Sequence, residues 1–209
     1  MTAFSLSATT GYASAVKDFP STDLPCLLSP QAIGVIILFT GKQEQLDQNF
    51  IQSDGSTPSW KVMDDGSMLA MNSNILTKKD FGDILLHVEF KVPEMPEAKG
   101  QARGNSGIFI QGCYELQILD SFGIGVLGKT DCGAITNVQS PLFNACKAPK
   151  QWQSYDIIFR SPRYDTSGKT KLEHAHITAF LNGILVQNNV EVHDSFCKTY
   201  CHRFLVGKF

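Results

Sequence analysis

The sequence predicts an all-β fold, an antiparallel β-sandwich or barrel. The dominant hydrophobic period is two rather than 3.6, and Gly, Asn and Asp residues interrupt the apolar runs at regular intervals. No window of a dozen residues carries the apolar stripe of a helix. Short strands at this spacing bury one sheet face against another, which is the arrangement of a sandwich or a barrel.

The N-terminal residues are rich in Ser, Thr and Ala and lack the marks of a secretory signal. Their first positive charge is Lys17, and no apolar run of about 7–15 residues follows it closely. We therefore expect residues 1–34 to be a poorly specified leader. Residues 32–39 are apolar and end at Thr40-Gly41-Lys42, which predicts a buried strand.

Turn residues predict three hairpins in the rest of the chain. Asn182-Gly183, the strongest hairpin signal, joins residues 175–181 to 184–190, and Asp64-Asp65-Gly66 joins residues 59–63 to 67–71. Gly112 connects residues 107–111 to 114–120. Two further strands are predicted from alternation alone, at residues 83–92 and 155–160.

Composition excludes several classes of protein. Eighteen Lys and Arg against twenty Asp and Glu give a net charge of −2, without the basic surface of a nucleic-acid or membrane binder. No run approaches the about 20 apolar residues of a membrane span. The six cysteines include no Cys-x-x-Cys zinc motif, although Cys132 and Cys146 bracket a loop and could pair if the protein is exported. We expect neither nucleic acid nor a membrane as a partner.

Residues 103–123 carry the most informative pattern. Glu115 and Gln117 point away from the apolar face of their strand, and a one-residue bulge near Leu119 would bring Asp120 to the same side without burying an unpaired carboxylate. Gln111 adds a second amide from the neighbouring strand. Two carboxylates and two amides on one sheet face predict a carbohydrate-binding surface with an acid/base pair. The alternative is the solvated face of a one-side-buried sheet.

Two long loops, residues 93–106 and 121–150, flank this hairpin, and loops of such length in a β domain are often functional. His87 and Glu89 share the polar face of another strand and could join the same constellation. His174 and His176 have a spacing found in metal sites, but with no third ligand apparent we interpret them as a surface pair. Trp60 and Trp152 sit beside apolar strand starts and are expected to pack in the core, with sugar-stacking platforms as the alternative.

The run RGNSGIFIQGCYELQILDSFG, residues 103–123, closely resembles the signature of the 3-keto-disaccharide hydrolase domain family. The resemblance covers about residues 35–192. Other matching stretches are LFTGK at 38–42, SWKV at 59–62, ILTKKDFGD at 75–83, LHVEF at 86–90, CGAI at 132–135, NAC at 144–146, QWQSYDI at 151–157 and NGILVQ at 182–187. It implies a concanavalin A-like jelly roll that acts on 3-keto-glycosides and is exported to the periplasm or the cell exterior.

The C-terminus departs from the family pattern. Relatives continue into a closing segment rich in Gly, Arg, Asp and His, whereas here residues 193–209 form an atypical tail after the 35–192 domain. We expect this tail to pack irregularly over the gap left by a missing strand. The alternative is that residues 203–206 supply that strand in a shortened form. An open sheet edge would favour a homodimer.

The resemblance implies chemistry in which a C3 ketone acidifies the C2 proton, so that the C1 leaving group is eliminated and water is then added. As a hypothesis, Glu115 or His87 is the base, Gln117 or Asn105 binds the enolate oxygen, and Asp120 protonates the leaving group. No cofactor is required by this scheme, although a divalent metal could replace the enolate stabiliser. The remaining candidate substrate contacts are Arg103, Gln111 and Glu89.

Two alternative functions stay open. Glu115-x-Gln117-x-x-Asp120 has the spacing of the Glu-x-Asp-x-x-Glu strand of laminarinase-type retaining glucanases, with Gln in place of the middle acid and Asp in place of the last. The other alternative is a non-catalytic, lectin-like carbohydrate-binding module on the same scaffold. The sugar and its linkage are not specified by the sequence.

Overall fold

The computed structural model describes residues 3–9, 35–71, 73–193 and 205–207 of the chain. The all-β prediction is confirmed, because nearly all of the regular secondary structure in the described part of the chain is strand. The helices are α1 (Gln43–Asn49) and one 3-10 turn (Gly100–Ala102). The strands are β1 (Ala3–Thr9), β2 (Val35–Phe39), β3 (Phe50–Gln52), β4 (Lys61–Val62), β5 (Met68–Leu69), β6 (Ile75–Thr77), β7 (Ile84–Lys91), β8 (Ser106–Ile110), β9 (Tyr114–Ile118), β10 (Gln153–Arg160), β11 (Arg163–Tyr164), β12 (Lys171–Glu173), β13 (Ala175–Leu181), β14 (Ile184–Val192) and β15 (Leu205–Gly207).

Two antiparallel sheets form the sandwich. Sheet A has the strand order β14-β13-β10-β7-β1-β5-β4, with β2 paired to β1, and sheet B has the order β3-β6-β15-β8-β9. Their apolar faces meet, because the ring of Tyr114 in sheet B lies 5.7 Å from that of Phe159 in sheet A. The hydroxyl of Tyr155 in sheet A donates to the carbonyl of Gln117 in sheet B at 2.7 Å. Alternate side chains of each strand therefore enter one shared core, and the others point to two opposite outer faces.

The predicted hairpin turns are confirmed. Asn182 and Gly183 both have positive φ angles, 53° and 79°, which is the geometry that a two-residue hairpin requires. The strands that they join, β13 and β14, pair over nearly their whole length. The Asp64-Asp65-Gly66 turn likewise joins β4 to β5, with Met63 N donating to Ser67 O at 2.8 Å.

Helix α1 was missed by the sequence analysis, which found no helical stripe. It is seven residues long and buries only Leu46, so it contributes too little apolar surface to show a period of 3.6. No helix of the described residues is long and apolar enough to cross a membrane.

The two ends of the described chain both belong to the sandwich. Residues 3–9 were expected to be part of a poorly specified leader, yet they form β1, in which Phe4, Leu6 and Ala8 alternate with polar residues. Leu205–Gly207 forms β15 between β6 and β8, which agrees with the alternative of a shortened closing strand. Residues 1–2, 10–34, 72, 194–204 and 208–209 lie outside the described part, and most of the tail that was predicted to pack irregularly is among them. The homodimer stays a prediction, although β15 fills the gap that motivated it.

Candidate functional site

Glu115 lies on the outer face of sheet B, in the middle of β9. The neighbouring residues of that strand, Tyr114 and Leu116, are buried in the core, so alternation turns Glu115 away from the core and leaves it half-buried. Its carboxylate lies directly over Gly107 of β8. A Cβ atom at position 107 would stand 2.3 Å from Glu115 Oε1, so this position of the carboxylate requires the glycine.

The surroundings of Glu115 raise its affinity for a proton. Burial raises the pKa of the carboxyl group above its ordinary value of 4.5, and the nearby Thr136 hydroxyl lowers it in part. Thr136 is held in place because its backbone N–H donates to the carbonyl of Glu115 at 3.0 Å. A carboxylate with a raised pKa is a stronger base, which is what proton abstraction from carbon needs.

The long loop 121–150 covers the free edge of β9. Gln117 N donates to Ala134 O at 3.0 Å, and Gly133 N donates to Gln117 O at 3.2 Å. Asp131 ties the loop to itself by accepting from the Ser121 hydroxyl and, at 2.7 Å, from Gly128 N. The loop therefore forms a fixed wall beside Glu115 within the described structure.

The amide group of Gln117 is used within the protein. The Gln117 side chain is buried, and its Nε2 donates to Gln101 Oε1 at 3.1 Å and to Thr130 O at 3.3 Å. Asn105 Nδ2 donates to the same oxygen of Gln101 at 3.1 Å, and Gln101 Nε2 donates to Thr130 O at 2.8 Å. These amides join both long loops to β9. The geometry does not favour Gln117 or Asn105 as a free donor to an enolate oxygen, and the sequence analysis missed Gln101 altogether.

Asp120 and Arg103 form an ion pair at the end of the β8–β9 hairpin. Arg103 Nη2 donates to Asp120 Oδ2 at 2.6 Å, and Asp120 is 1% exposed whereas Arg103 is 31% exposed. Leu119 is buried beside Ile118 in the core, which is the break in alternation that the sequence argument required. This arrangement does not favour the predicted role of Asp120 as the group that protonates the leaving oxygen. Asp120 is covered, and Arg103 is the member of the pair that is open to a ligand.

His87 and Glu89 do not join this site. Both alternate with the buried residues of β7 and lie on the outer face of sheet A, across the core from Glu115. The prediction that His87 and Glu89 could join the same constellation as Glu115 is therefore wrong, since the sequence did not reveal that β7 and β9 belong to different sheets. His87 Nδ1 lies 2.7 Å from Asp156 Oδ1. Burial alone would lower the pKa of His87, but the hydrogen bond and charge of Asp156 raise it.

Gln111 is also absent from the Glu115 face. It occupies the β8–β9 turn with a φ of 53°, and its Nε2 donates to Phe81 O at 3.1 Å and to Ser161 Oγ at 2.9 Å. These bonds hold a residue other than glycine in the left-handed region. The sequence analysis placed Gln111 at the end of a strand because glutamine seldom adopts this conformation.

The two tryptophans behave differently. Trp60 is buried as expected, with its Nε1 donating to Ser73 O at 2.7 Å. Trp152 is 37% exposed, so its predicted core position is wrong, and Lys91 Nζ stands 4.8 Å from the centre of its ring.

A divalent metal at the Glu115 face finds no support in the donor set of the described residues. Their one group of three potential ligands is His174, Glu191 and His193. These residues flank or lie in β13 and β14 of sheet A, away from Glu115.

The fold and the site define a β-sandwich protein with a half-buried carboxylate on the outer face of one sheet and a partly exposed arginine at the open end of the hairpin that carries it. The chain belongs to the family of 3-keto-alpha-glucoside-1,2-lyase-like domains, whose model matches residues 34–199. The resemblance found in the sequence is thus confirmed, and it makes this a carbohydrate-active type of protein.

Solved structures agree with this assignment. Two crystal structures from Parabacteroides distasonis ATCC 8503, each described as a "putative glycosyl hydrolase", share the fold. The first has 29% sequence identity and a TM-score of 0.73, covering 83% of this chain and 78% of that chain. The second has 15% identity and a TM-score of 0.56 over 83% of this chain and 88% of that chain, and it supports the fold alone. No curated protein sequence matches the chain.

Proposed function

We propose that the protein is a hydrolase that cleaves 3-keto-glycosides by elimination and hydration, with Glu115 as the base. The observation that carries this proposal is the Glu115 carboxylate, half-buried over Gly107 with a raised pKa. Family membership supplies the substrate class. The raised pKa brings the carboxylate closer to the range in which a general base works best near neutral pH.

The reaction then follows from the acidity of the C2 proton. The Glu115 carboxylate takes the proton, and the C–H electron pair forms a C2–C3 double bond as negative charge moves to O3. Collapse of this enolate restores the ketone, forms a C1–C2 double bond and expels the C1 oxygen, which takes a proton from the now neutral Glu115. Water adds to C1 and a proton to C2, which completes hydrolysis.

Arg103 is the candidate to stabilise the enolate. A fixed cation near O3 lowers the energy of the charge that develops there. Its partner Asp120 is almost fully covered, so we assign Asp120 the positioning of Arg103 rather than protonation of the leaving group. This is a change from the role that the resemblance implied for Asp120.

The burial of Asp120 argues against the alternative function of a retaining glucanase. That mechanism needs two carboxyl groups facing the sugar, about 5–5.5 Å apart. Asp120 is bonded to Arg103 and also accepts from Phe122 N at 3.3 Å, so it lacks a free face for a glycosyl bond.

The direct test compares Glu115→Gln with wild type on a 3-keto-disaccharide and on its unoxidised parent. We expect turnover of the keto sugar only, incorporation of solvent deuterium at C2, and a loss of about 10²–10⁴-fold in the variant. Glu89→Gln, on the opposite face of the sandwich, is the matched control and should retain activity. Activity of Glu115→Gln within twofold of wild type would remove Glu115 from catalysis.

A second variant moves the carboxylate without removing it. Gly107→Ala places a Cβ where Glu115 Oε1 now lies, so the carboxylate must shift and kcat should fall at least about tenfold. Gly82→Ala, whose Cβ would meet its nearest atom at 3.9 Å, is the control and should be unaffected.

Cleavage of an unoxidised β-glucan would favour the glucanase alternative. Sugar binding without turnover of any keto-glycoside would favour the lectin-like module.

A further inference from the structure

Four polar side chains meet at the open end of the β13–β14 hairpin, opposite its Asn182-Gly183 turn. The register pairs His176 with Glu191 and Ala175 with Val192. One step further along the ladder, His174 stands opposite His193. Alternation places all four polar side chains on the same face, because Ala175 and Val192 between them are fully buried.

The distances bring three of these side chains into ligand geometry. Three potential donor atoms lie within 4.8 Å of one another, and they come one each from His174, Glu191 and His193. The rings of His174 and His193 are 4.0 Å apart between centroids, and His193 Nε2 lies 3.4 Å from Glu191 Oε1. Tetrahedral Zn²⁺ with Zn–N bonds of about 2.0–2.1 Å separates its ligands by roughly 3.4 Å. The pair of His193 Nε2 and Glu191 Oε1 already has this spacing.

The cluster is poorly satisfied without a ligand. The Nδ1 atoms of His174 and His176 are buried and have no hydrogen-bond partner in the described structure. Buried polar atoms normally find partners, because leaving one unpaired costs about 1–3 kcal/mol. Two neighbouring imidazoles and a carboxylate form a donor set that divalent transition metals favour.

We propose that His174, Glu191 and His193 bind a divalent transition-metal ion, with Zn²⁺ as the ion that this donor set suits. His176 Nε2 lies 3.8 Å from Glu191 Oε2 and acts as a positioning residue for that carboxylate. Three protein ligands leave at least one coordination position for water. The site lies on the outer face of sheet A, so it is separate from Glu115 and independent of the proposed catalytic function.

The sequence analysis treated His174 and His176 as a surface pair because no third ligand was apparent. The missing ligands come from the next strand, fifteen or more positions later, and only the β13–β14 register reveals them. Of the two histidines, only His174 belongs to the proposed ligand set, since His176 pairs with Glu191 in the register.

The test is calorimetric titration of the metal-free full-length chain with Zn²⁺. We expect one ion per chain, and affinity at least about tenfold weaker in His174→Ala, Glu191→Gln and His193→Ala. His176→Ala should weaken binding while the unfolding temperature of the metal-free protein stays unchanged, which separates positioning from a structural role. His87→Ala is the matched histidine control and should bind as wild type does.

Three results would overturn the proposal. The first is no saturable Zn²⁺ binding to the wild-type chain. The second is unchanged affinity in the His193→Ala and Glu191→Gln variants, provided that both retain the wild-type unfolding temperature. The third uses Co²⁺ as a spectroscopic probe: a sulfur-to-cobalt charge-transfer band would show that cysteine thiolates, rather than this cluster, hold the metal.

Discussion

At the scale of single residues, the chemistry depends on a carboxylate that is neither fully buried nor free in water. Glu115 is desolvated by its neighbours, which raises its pKa, and the Thr136 hydroxyl limits that rise. Gly107 provides the space in which the carboxylate lies.

Because the pKa of Glu115 is raised in the folded protein, folding favours the protonated carboxyl group over the ionised one. The stability that the protonated group contributes at low pH is lost as the pH rises through the raised pKa. Glu115→Gln should therefore match or exceed wild-type stability at neutral pH while losing activity.

Thr136→Val tests how this environment sets the pH dependence. Removing the hydroxyl takes away a nearby polar group that lowers the pKa of Glu115, so the pKa rises further. A base must be ionised to act, and the acid limb of the kcat/KM profile should move to higher pH when it is measured between about pH 4 and pH 8.

Thr130→Val is the control for this experiment, because Thr130 contributes its backbone carbonyl rather than its hydroxyl to the loop contacts. Its profile should coincide with that of wild type. An acid limb that stays in place in Thr136→Val would show that another group controls the rate.

At the scale of secondary-structure elements, the two long loops hold the site together. Gln101 in one loop and Thr130 in the other meet at the buried Gln117 amide, and Arg103 bonds to Asp120 just beyond β9. Alternation predicted the strands and the outward direction of Glu115 correctly, because it is a local property of the chain. It could not predict the partners of Gln117 and Asp120, since those depend on how the loops fold back over β9.

Cys132 and Cys146 give loop 121–150 a potential covalent tie. Both thiols are free, and the neighbouring Cys146 lowers the pKa of Cys132, whereas Cys132 and burial raise the pKa of Cys146. An added oxidant such as peroxide converts one thiol to a sulfenic acid, and the other thiol displaces water from it to close the disulfide. We expect mild oxidation to form this disulfide and to stabilise the fold by about 3 kcal/mol, the value typical of a 15-residue loop.

The measurement is urea unfolding of wild type and Cys146→Ser after the same oxidative treatment, with free thiols counted in each. Cys113 is itself disulfide-bonded, so adding reductant would alter more than one bridge, whereas the serine variant isolates this pair. A wild-type protein that loses no more free thiols on treatment than Cys146→Ser does, or equal stability of the two proteins, would contradict the prediction.

At the scale of the whole molecule, the sandwich separates two kinds of chemistry. Glu115 belongs to the outer face of sheet B, and the His174, Glu191 and His193 cluster belongs to the outer face of sheet A, with the core between them. The sequence places His87 and Glu115 on polar strand faces with equal clarity. It cannot tell that these faces point in opposite directions, because strand order within the sheets is a property of long-range pairing.

The last prediction concerns β15, which completes sheet B. Val206 pairs with Ile75 of β6 on one side and with Ile108 of β8 on the other, so it occupies a central position in the sheet. Val206→Pro removes a backbone N–H and should reduce the free energy of unfolding by about 3 kcal/mol. The β8–β9 hairpin that carries Glu115 would then lose a neighbouring strand, and the exposed edges should promote dimers.

Val206→Ile, which keeps the backbone donor, is the control. Urea unfolding and size-exclusion chromatography with light scattering measure both effects, and a monomeric Val206→Pro variant as stable as Val206→Ile would show that β15 is dispensable.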